Sequence, residues 1–360
     1  MSFGKSESAK VKGFAILLMV VHHLFGIEKT VLFYSSDILK DIASYGKICV
    51  ALYAFMSGYG LYCSLTSKGT LKPVSRVFKI YLKYWITILI FFIPFALMFD
   101  SSQIHIGISK LVLNFAGVYC TIDPNIWFLF PYIAFIVLFP VMVNLVKLLK
   151  SKAAQIFLDL FLFIILPIIL VVFLDNSLNW QGSGIVNYLL NNVLYSIFVM
   201  IPFFSLGYIF SKYKLFSKIK CNNWNRYLKI AFAIVLMIAT YFIRKISIYS
   251  AYGMTYTDLL IAPLLIISFV MLVNSINLKP INIVFDKLGK LSTSIWLVHY
   301  LYCQGALMWL TYMPKYSVLI MLLAFALSIV SAIIIDFIYK YILIGFNKIK
   351  DRLFLKKADI

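Results

Sequence analysis

Residues 12–26, KGFAILLMVVHHLFG, form an apolar helix-length stretch with a lysine at one end and two histidines near the other. Ionisable side chains are costly inside a membrane, so an imidazole within such a stretch indicates a functional role. Lys12 and His23 are eleven residues apart. At 100° and 1.5 Å per residue they lie within about 20° of one helix face and roughly 16 Å apart along its axis. His22 lies about 100° round the helix from His23, so we predict that only Lys12 and His23 face the same side.

The whole chain has the composition of a membrane protein. It contains 360 residues, of which 63% are hydrophobic and 13% charged. Apolar runs of about 20 residues recur along its length, which is typical of an all-α polytopic transmembrane bundle. We predict a transmembrane domain over residues 1–345 and a basic cytoplasmic tail over 346–360. The predicted ten spans cover about 13–28, 46–66, 80–99, 126–146, 154–174, 193–211, 228–243, 257–276, 291–310 and 317–339.

The distribution of positive charge orients these spans. A net charge of +20 would suggest nucleic acid for a soluble protein, but here it follows the rule that cytoplasmic segments are enriched in lysine and arginine. With both termini cytoplasmic, all 33 cations fall in inner segments except Lys29, Lys40, Lys47, Lys110, Arg244, Lys245 and Lys315. We therefore predict a multi-pass protein of the plasma or inner membrane that contacts lipid and no nucleic acid.

Two further sequence features bear on this topology. Residues 104–120 are apolar but interrupted by polar side chains, and a span there would invert the charge pattern downstream, so we predict an interfacial or re-entrant helix. The five cysteines are scattered without the spacing of a metal site, so we predict buried thiols and no bound metal.

Five stretches together resemble the acyltransferase-3 family of integral membrane enzymes, and the resemblance covers essentially the whole chain. The family transfers acyl groups, most often acetyl, to carbohydrates on or beyond the membrane. The resemblance therefore implies an acyltransferase of the same kind. The stretches are VKGFAILLMVVHH in the first span, AFMSGYGL (54–61), RVFKIYLKYW (76–85), IWFLFPYI (126–133) and LGKLSTSIWLVHYL (288–301).

The resemblance also assigns residues. The family's first-span pattern, a basic residue and a histidine separated by ten residues, falls on Lys12 and His23. Its second basic motif falls on Arg76 and Lys79. The family usually has arginine at both motif positions that are lysine here; lysine keeps the charge but loses the bidentate fork.

Elementary chemistry agrees with these roles. Acetyl-CoA is made in the cytoplasm and carries phosphates that Lys12, Arg76 and Lys79, with nearby Lys83, can bind through charge-assisted hydrogen bonds. A sugar hydroxyl needs a general base to attack a thioester, and neutral imidazole is the common choice, which points to His23. His23 could instead carry the acyl group as a covalent relay. We expect acyl-CoA as a substrate and no permanently bound cofactor.

Other polar residues have both a structural and a functional interpretation. The residues that could support the catalytic base or the acyl donor are His22, Ser57, Tyr59, Trp127 and His299. Each also has a structural interpretation, as a packing residue or a helix anchor. We expect Asp159 and Asp336 to be interfacial. Arg244 and Lys245 break the charge rule, so we consider them for binding of an anionic acceptor or its lipid carrier.

The acceptor and the class of activity have alternatives. The implied acceptor is a glycan or a lipid-linked saccharide. A transporter or flippase for a glycan intermediate would explain the spans equally well, but it predicts inverted repeats and mid-membrane charge pairs that the sequence does not clearly contain. A homo-oligomer is compatible with the sequence.

Overall fold

The protein is a bundle of helices. The computed structural model describes residues 1–27, 36–99, 107–177, 185–221, 223–247 and 255–358. The structure is 85% helical and contains no strand within those ranges, which confirms the predicted all-α class. Nine helical stretches of the described chain are long and apolar enough to cross a membrane.

The helices of the first half begin and end at the following residues. They are α1 (Lys5–Phe25), α2 (Asp37–Tyr45), α3 (Cys49–Lys68), α4 (Pro73–Thr87), α5 (Ile93–Phe99), α6 (Ile108–Phe115), α7 (Leu129–Lys147), α8 (Lys152–Leu160) and α9 (Leu166–Ser177). Short 3₁₀ segments lead into α3 and α7 at Gly46–Ile48 and Pro124–Phe128. One-turn π segments join α4 to α5 at Ile88–Phe92 and α8 to α9 at Phe161–Ile165.

The second half contains fewer breaks. Its helices are α10 (Ile185–Tyr188), α11 (Tyr195–Lys212), α12 (Leu215–Lys218), α13 (Arg226–Lys245), α14 (Asp258–Ile276), α15 (Lys279–Cys303), α16 (Met308–Tyr312) and α17 (Ser317–Ala358). A π segment, Leu189–Leu194, joins α10 to α11.

The difference between nine candidate spans and the ten predicted lies in α15. This helix is 25 residues long, but its first half carries four charged residues, so it lacks a sufficiently apolar window. Helix α6 is only eight residues long, about 12 Å at the α-helical rise, too short to cross a bilayer. The prediction that 104–120 contains no span agrees with this length; residues 104–106 lie outside the described ranges.

Two close helix crossings bring the functional helices together. Gly13 of α1 and Gly289 of α15 each face the backbone of the other helix, with no room for a Cβ atom. Gly58 of α3 and Gly207 of α11 make the same kind of contact. Small residues permit this approach, and close packing is a main source of helix association in membranes. The structural interpretation of the Ser57-Gly58 motif is therefore confirmed for its glycine.

Carboxylates neutralise several cations within the bundle. The fully buried Asp159 carboxylate, which pairs with Lys212, accepts hydrogen bonds from the hydroxyls of Tyr208 and Tyr213 at 3.0 and 2.8 Å. Such pairing is needed because an unpaired charge in a low-dielectric interior is costly. The ion pairs are Lys83–Asp336 at 2.6 Å, Lys212–Asp159 at 2.7 Å and Arg244–Asp258 at 2.9 Å.

These pairs bear on three of the residues considered above. Asp159 is fully buried within the protein, because α11 supplies its partners. Arg244 is 2% exposed and bound to Asp258, and Lys245 pairs with Asp41, so neither is held ready for an anionic acceptor.

The α3–α11 crossing predicts a position-specific effect on stability. Gly58→Ala inserts a methyl group against the backbone of Phe204 and should destabilise the protein by about 1–3 kcal/mol, as overpacking does. Gly60→Ala is the matched control, because nothing lies within 4 Å of its added Cβ and alanine has the higher helix propensity. Thermal unfolding in detergent should show a lower midpoint for Gly58→Ala alone. Equal midpoints for the two variants would contradict the tight crossing.

Candidate functional site

A cavity of about 150 Å³ runs between α1, α3, α4 and α15, and we call it the chamber. Its wall is completed by the 3₁₀ segments at Gly46–Ile48 and Pro124–Phe128 and by the start of α7. Lys12 and His23 both line it. The two residues that the helical period predicts on one face of the first helix thus border one cavity.

The basic end of the chamber contains fewer of the predicted cations than expected. Lys12 is half-buried in the wall, and the Tyr53 hydroxyl donates to its carbonyl oxygen at 3.0 Å. Arg76 is half-buried on α4, where its Nη2 donates to the Ser64 hydroxyl at 2.7 Å. Lys79 is exposed and is not part of the wall. Only Lys12 of the three therefore lines the chamber itself.

Lys83 belongs to a different network. Its ammonium donates to Asp336 at 2.6 Å and to the Ser294 hydroxyl at 3.1 Å. It is therefore committed to the contact between α4, α15 and α17, and the expectation that Lys83 joins a phosphate-binding cluster is wrong.

Three histidine rings meet at the other end of the chamber. The His23 ring lies edge to face with His22 and with His299, at centroid distances of 5.3 and 4.9 Å. His22 lies 3.1 Å from the Ala43 carbonyl oxygen through its Nδ1, which ties α1 to α2. His22 also lines the chamber, so it lies nearer the site than its position round the helix predicts.

His299 is fully buried behind His23. Its Nδ1 lies 2.8 Å from the Trp296 carbonyl oxygen and 3.2 Å from that of Ile295, so this nitrogen carries the proton and donates it. Its Nε2 has no hydrogen-bond partner in the described part of the chain. His299 therefore presents an acceptor nitrogen beside the His23 ring without lining the chamber.

Gln304 positions His23 from the end of α15. Its amide nitrogen donates to the His23 carbonyl oxygen at 3.1 Å and lies 3.4 Å from the ring nitrogen Nδ1. The same side chain thus touches both the backbone and the imidazole, and it fixes one edge of the ring.

The remaining predicted residues divide into two groups. Ser57 lines the chamber, although its hydroxyl already donates to the Tyr53 carbonyl at 2.7 Å. Trp127 lines it at the histidine end, with the Lys47 ammonium 5.9 Å from its ring centroid. Tyr59 does not line it, because its ring packs against Phe3.

Several chamber residues were not identified from the sequence. Tyr53, Tyr132 and Trp296 look like ordinary aromatic residues of apolar helices, and only the fold turns them toward the cavity. Lys47 gave one usable signal, because it is a cation at the outer end of a span, where the charge rule disfavours it. Asn125 gave none.

A buried aspartate holds Asn125 in place. Asp123 is 1% exposed, and its carboxyl oxygen accepts the backbone N–H of Asn125 at 3.0 Å at the start of the 3₁₀ segment. Burial raises the pKa of the Asp123 carboxyl to about 8. This turn sets the position of the chamber wall from Asn125 to Phe128.

The comparison with known families agrees with this geometry. The model of the acyltransferase-3 family, described as an acyltransferase domain, matches residues 11–337. That range includes the part of α1 that carries Lys12 and His23, and all the chamber-lining residues. No curated protein and no solved structure matches the chain. The chain belongs to the acyltransferase-3 family, and it is a multi-pass membrane acyltransferase.

The buried Asp123 predicts a pH dependence of stability. The carboxyl pKa is about 8 in the fold and near 4 in an unfolded chain, so unfolding releases a proton between those values. Stability should therefore fall as pH rises from about 4 to about 8, by at most about 1.4 kcal/mol per pH unit for this group. Asp123→Asn should flatten that part of the profile of unfolding midpoint against pH in detergent.

The control for this experiment is Asp37→Asn, because the Asp37 side chain is fully exposed. Its profile should follow that of the wild type. Parallel profiles for wild type and Asp123→Asn would show that Asp123 is ionised throughout and would contradict the prediction.

Proposed function

We propose that this acyltransferase-3 family member is an O-acetyltransferase, which moves an acetyl group from cytoplasmic acetyl-CoA to a hydroxyl of a cell-surface polysaccharide or its lipid-linked precursor. The observation that carries the proposal is that one chamber is lined by Lys12 at one end and by His23 at the other. A long anionic donor with a reactive uncharged tip matches a cavity with a cation at one end and an imidazole at the other.

The donor would enter from the lysine end. The ammonium of Lys12 suits a phosphate, and Arg76 on the neighbouring α4 adds positive charge there. The pantetheine arm carries no charge, and it would lie along the chamber wall between Tyr53, Ser57 and Tyr132. This would bring the thioester to the His23 ring.

The histidine end suits proton transfer. In the direct route the His23 imidazole takes the proton of the acceptor hydroxyl while the hydroxyl oxygen bonds to the thioester carbonyl carbon. The carbon–sulfur bond then breaks, and the CoA thiolate takes the proton from the imidazolium. The products are an ester and a free thiol. In the relay route the imidazole carries the acetyl group between these two steps.

The surroundings of His23 support either route. Gln304 contacts the backbone carbonyl and the ring nitrogen Nδ1 of His23, and the His299 ring packs against the same imidazole. The wall is mostly apolar and aromatic, which keeps water from hydrolysing the thioester.

The first prediction from this proposal concerns His23. His23→Ala should lower transfer of labelled acetyl from acetyl-CoA to the glycan in membranes by about 10²–10⁴-fold, the range of a lost general base. Lys220→Met, an exposed substitution away from the chamber, should transfer at the wild-type rate. Retention of transfer by His23→Ala would remove His23 from the reaction.

The glycan of a deletion strain separates transfer from transport. An acyltransferase leaves a polymer of normal length without its acetyl groups. Unmodified precursor trapped inside the cell would instead indicate a flippase and would overturn the proposal.

A second prediction concerns donor affinity. Lys12→Met should raise the KM for acetyl-CoA about tenfold or more with a smaller change in kcat, because it removes a charge that binds phosphate in ground and transition states alike. Arg76→Ala should act in the same direction. The measurement is initial rate against donor concentration at saturating acceptor, with Lys220→Met as the control. An unchanged donor KM in Lys12→Met would contradict phosphate binding at this end.

A further inference from the structure

Two hydrogen-bond donors that line the chamber have no acceptor among the residues that the structure describes. They are Lys47 and Asn125. Among the described residues no carboxylate lies within ion-pair distance of the Lys47 ammonium, whose nearest assigned contact is the Trp127 ring. The Asn125 side chain is 9% exposed, and its Nδ2 has no partner in the same part of the chain.

The absence of a partner sets Lys47 apart from cations elsewhere in the bundle. Lys83, Lys212 and Arg244 each bind a carboxylate from another helix. Lys47 is half-buried just before α3, and its ammonium lies 5.9 Å from the centroid of the Trp127 ring. A cation held this way attracts negative charge into the cavity, because the surrounding apolar wall screens it poorly.

Asn125 is held rigidly enough to act with it. Its backbone N–H is bound by the Asp123 carboxyl, and Pro124 begins the 3₁₀ segment that continues to Trp127. The backbone from which the amide extends is therefore fixed by the fold before any substrate binds. A buried amide donor without a partner in the protein is uncommon, and such groups often mark a site where a ligand atom completes the bond.

We propose that Lys47 and Asn125 form the oxyanion site of the acyl transfer. This inference rests on the proposed function. When the acceptor oxygen bonds to the thioester carbonyl carbon, the carbonyl π pair moves to its oxygen, which becomes negative. The Lys47 ammonium and the Asn125 Nδ2–H then donate to that oxygen. The electron pair on the oxygen then re-forms the carbonyl double bond as the carbon–sulfur bond breaks. The thiolate takes the proton that His23 removed from the acceptor.

The combination of Lys47 and Asn125 favours a role as the oxyanion site over binding of an anionic group on the acceptor. One charged and one neutral donor match an oxygen whose charge exists only in the transition state and the intermediate. Both also line the cavity that contains His23. The other role remains an outcome of the experiment.

The test uses full-length protein and compares shape-conserving substitutions. Lys47→Met removes the charge, and Lys47→Arg retains it. Asn125→Asp keeps the shape but replaces the donor with an acceptor, and Asn125→Ala removes the whole amide. The matched controls are Lys110→Met and Asn223→Ala, two exposed positions outside the chamber. Each variant is checked by gel filtration and thermal unfolding, and only variants with wild-type profiles are compared.

The measurements are kcat and both KM values with acetyl-CoA and the glycan acceptor. Lys47→Met and Asn125→Asp should each lower kcat by about 10²–10³-fold, the effect of losing one oxyanion donor, with both KM values within about threefold of wild type. Lys47→Arg should recover at least tenfold of the loss. Asn125→Asp should be no better than Asn125→Ala, since a carboxylate repels the oxyanion. The controls should match wild type.

The opposing outcomes are distinct. Unchanged kcat in Lys47→Met and Asn125→Asp overturns the oxyanion site. A raised acceptor KM with unchanged kcat also overturns it and assigns the pair to acceptor binding. If the wild type itself transfers no acetyl group, the proposed function fails, and the oxyanion site fails with it. An active wild type with unaffected variants leaves the proposed function standing.

Discussion

The cost of an unpaired charge inside the helix bundle governs how this protein places its cations. Lys83, Lys212 and Arg244 are each neutralised by an aspartate on another helix, and Asp159 also accepts hydrogen bonds from two tyrosines. These pairs join helices distant in sequence, so they also determine which helices are neighbours. Lys12 and Lys47 differ because they border a cavity rather than a carboxylate. Under the proposed function, the charge left over after structural pairing is the charge that binds the anionic donor in the chamber.

Two pairs of helices, each with at least one member that lines the chamber, approach closely. Glycines bring α1 against α15 and α3 against α11 at backbone distance. Both contacts are parallel, since Ala9 lies beside Gly289 and His23 beside Gln304, while Phe55 lies beside Gly207 and Cys63 beside Ser211. This arrangement agrees with alternating spans in which α1 and α15 run one way and α3 and α11 the other. Between the two pairs, Trp127 and its neighbours close the cavity without filling it.

Sequence reasoning succeeded for features that depend on the period of a single helix or on the amino-acid composition of the chain. The helical period alone placed Lys12 and His23 on one face, and hydropathy alone gave the fold class. It failed where several segments must meet. The partners of Asp159 come from α11, about fifty residues later, and Arg244 looked available because Asp258 belongs to the next helix. Likewise, Gln304 and Asn125 have no local pattern that marks them, since their positions follow from helix crossings and a buried turn rather than from periodicity.

A single rigid helix that carries a cation and an imidazole on one face imposes a division of labour. The lysine end of α1 offers fixed charge in ground state and transition state alike, so it contributes to binding. The histidine end has an imidazole in contact with Gln304, and Lys47 and Asn125 line the same cavity; under the proposals above, their interactions strengthen as charge develops in the reaction. Because α1 is packed against α15 along its length through Gly13 and Gly289, the two ends cannot move independently. A donor bound at the lysine end would therefore hold its thioester at a set distance from the histidine end. In this way the binding energy of the donor contributes to the orientation of the reacting groups.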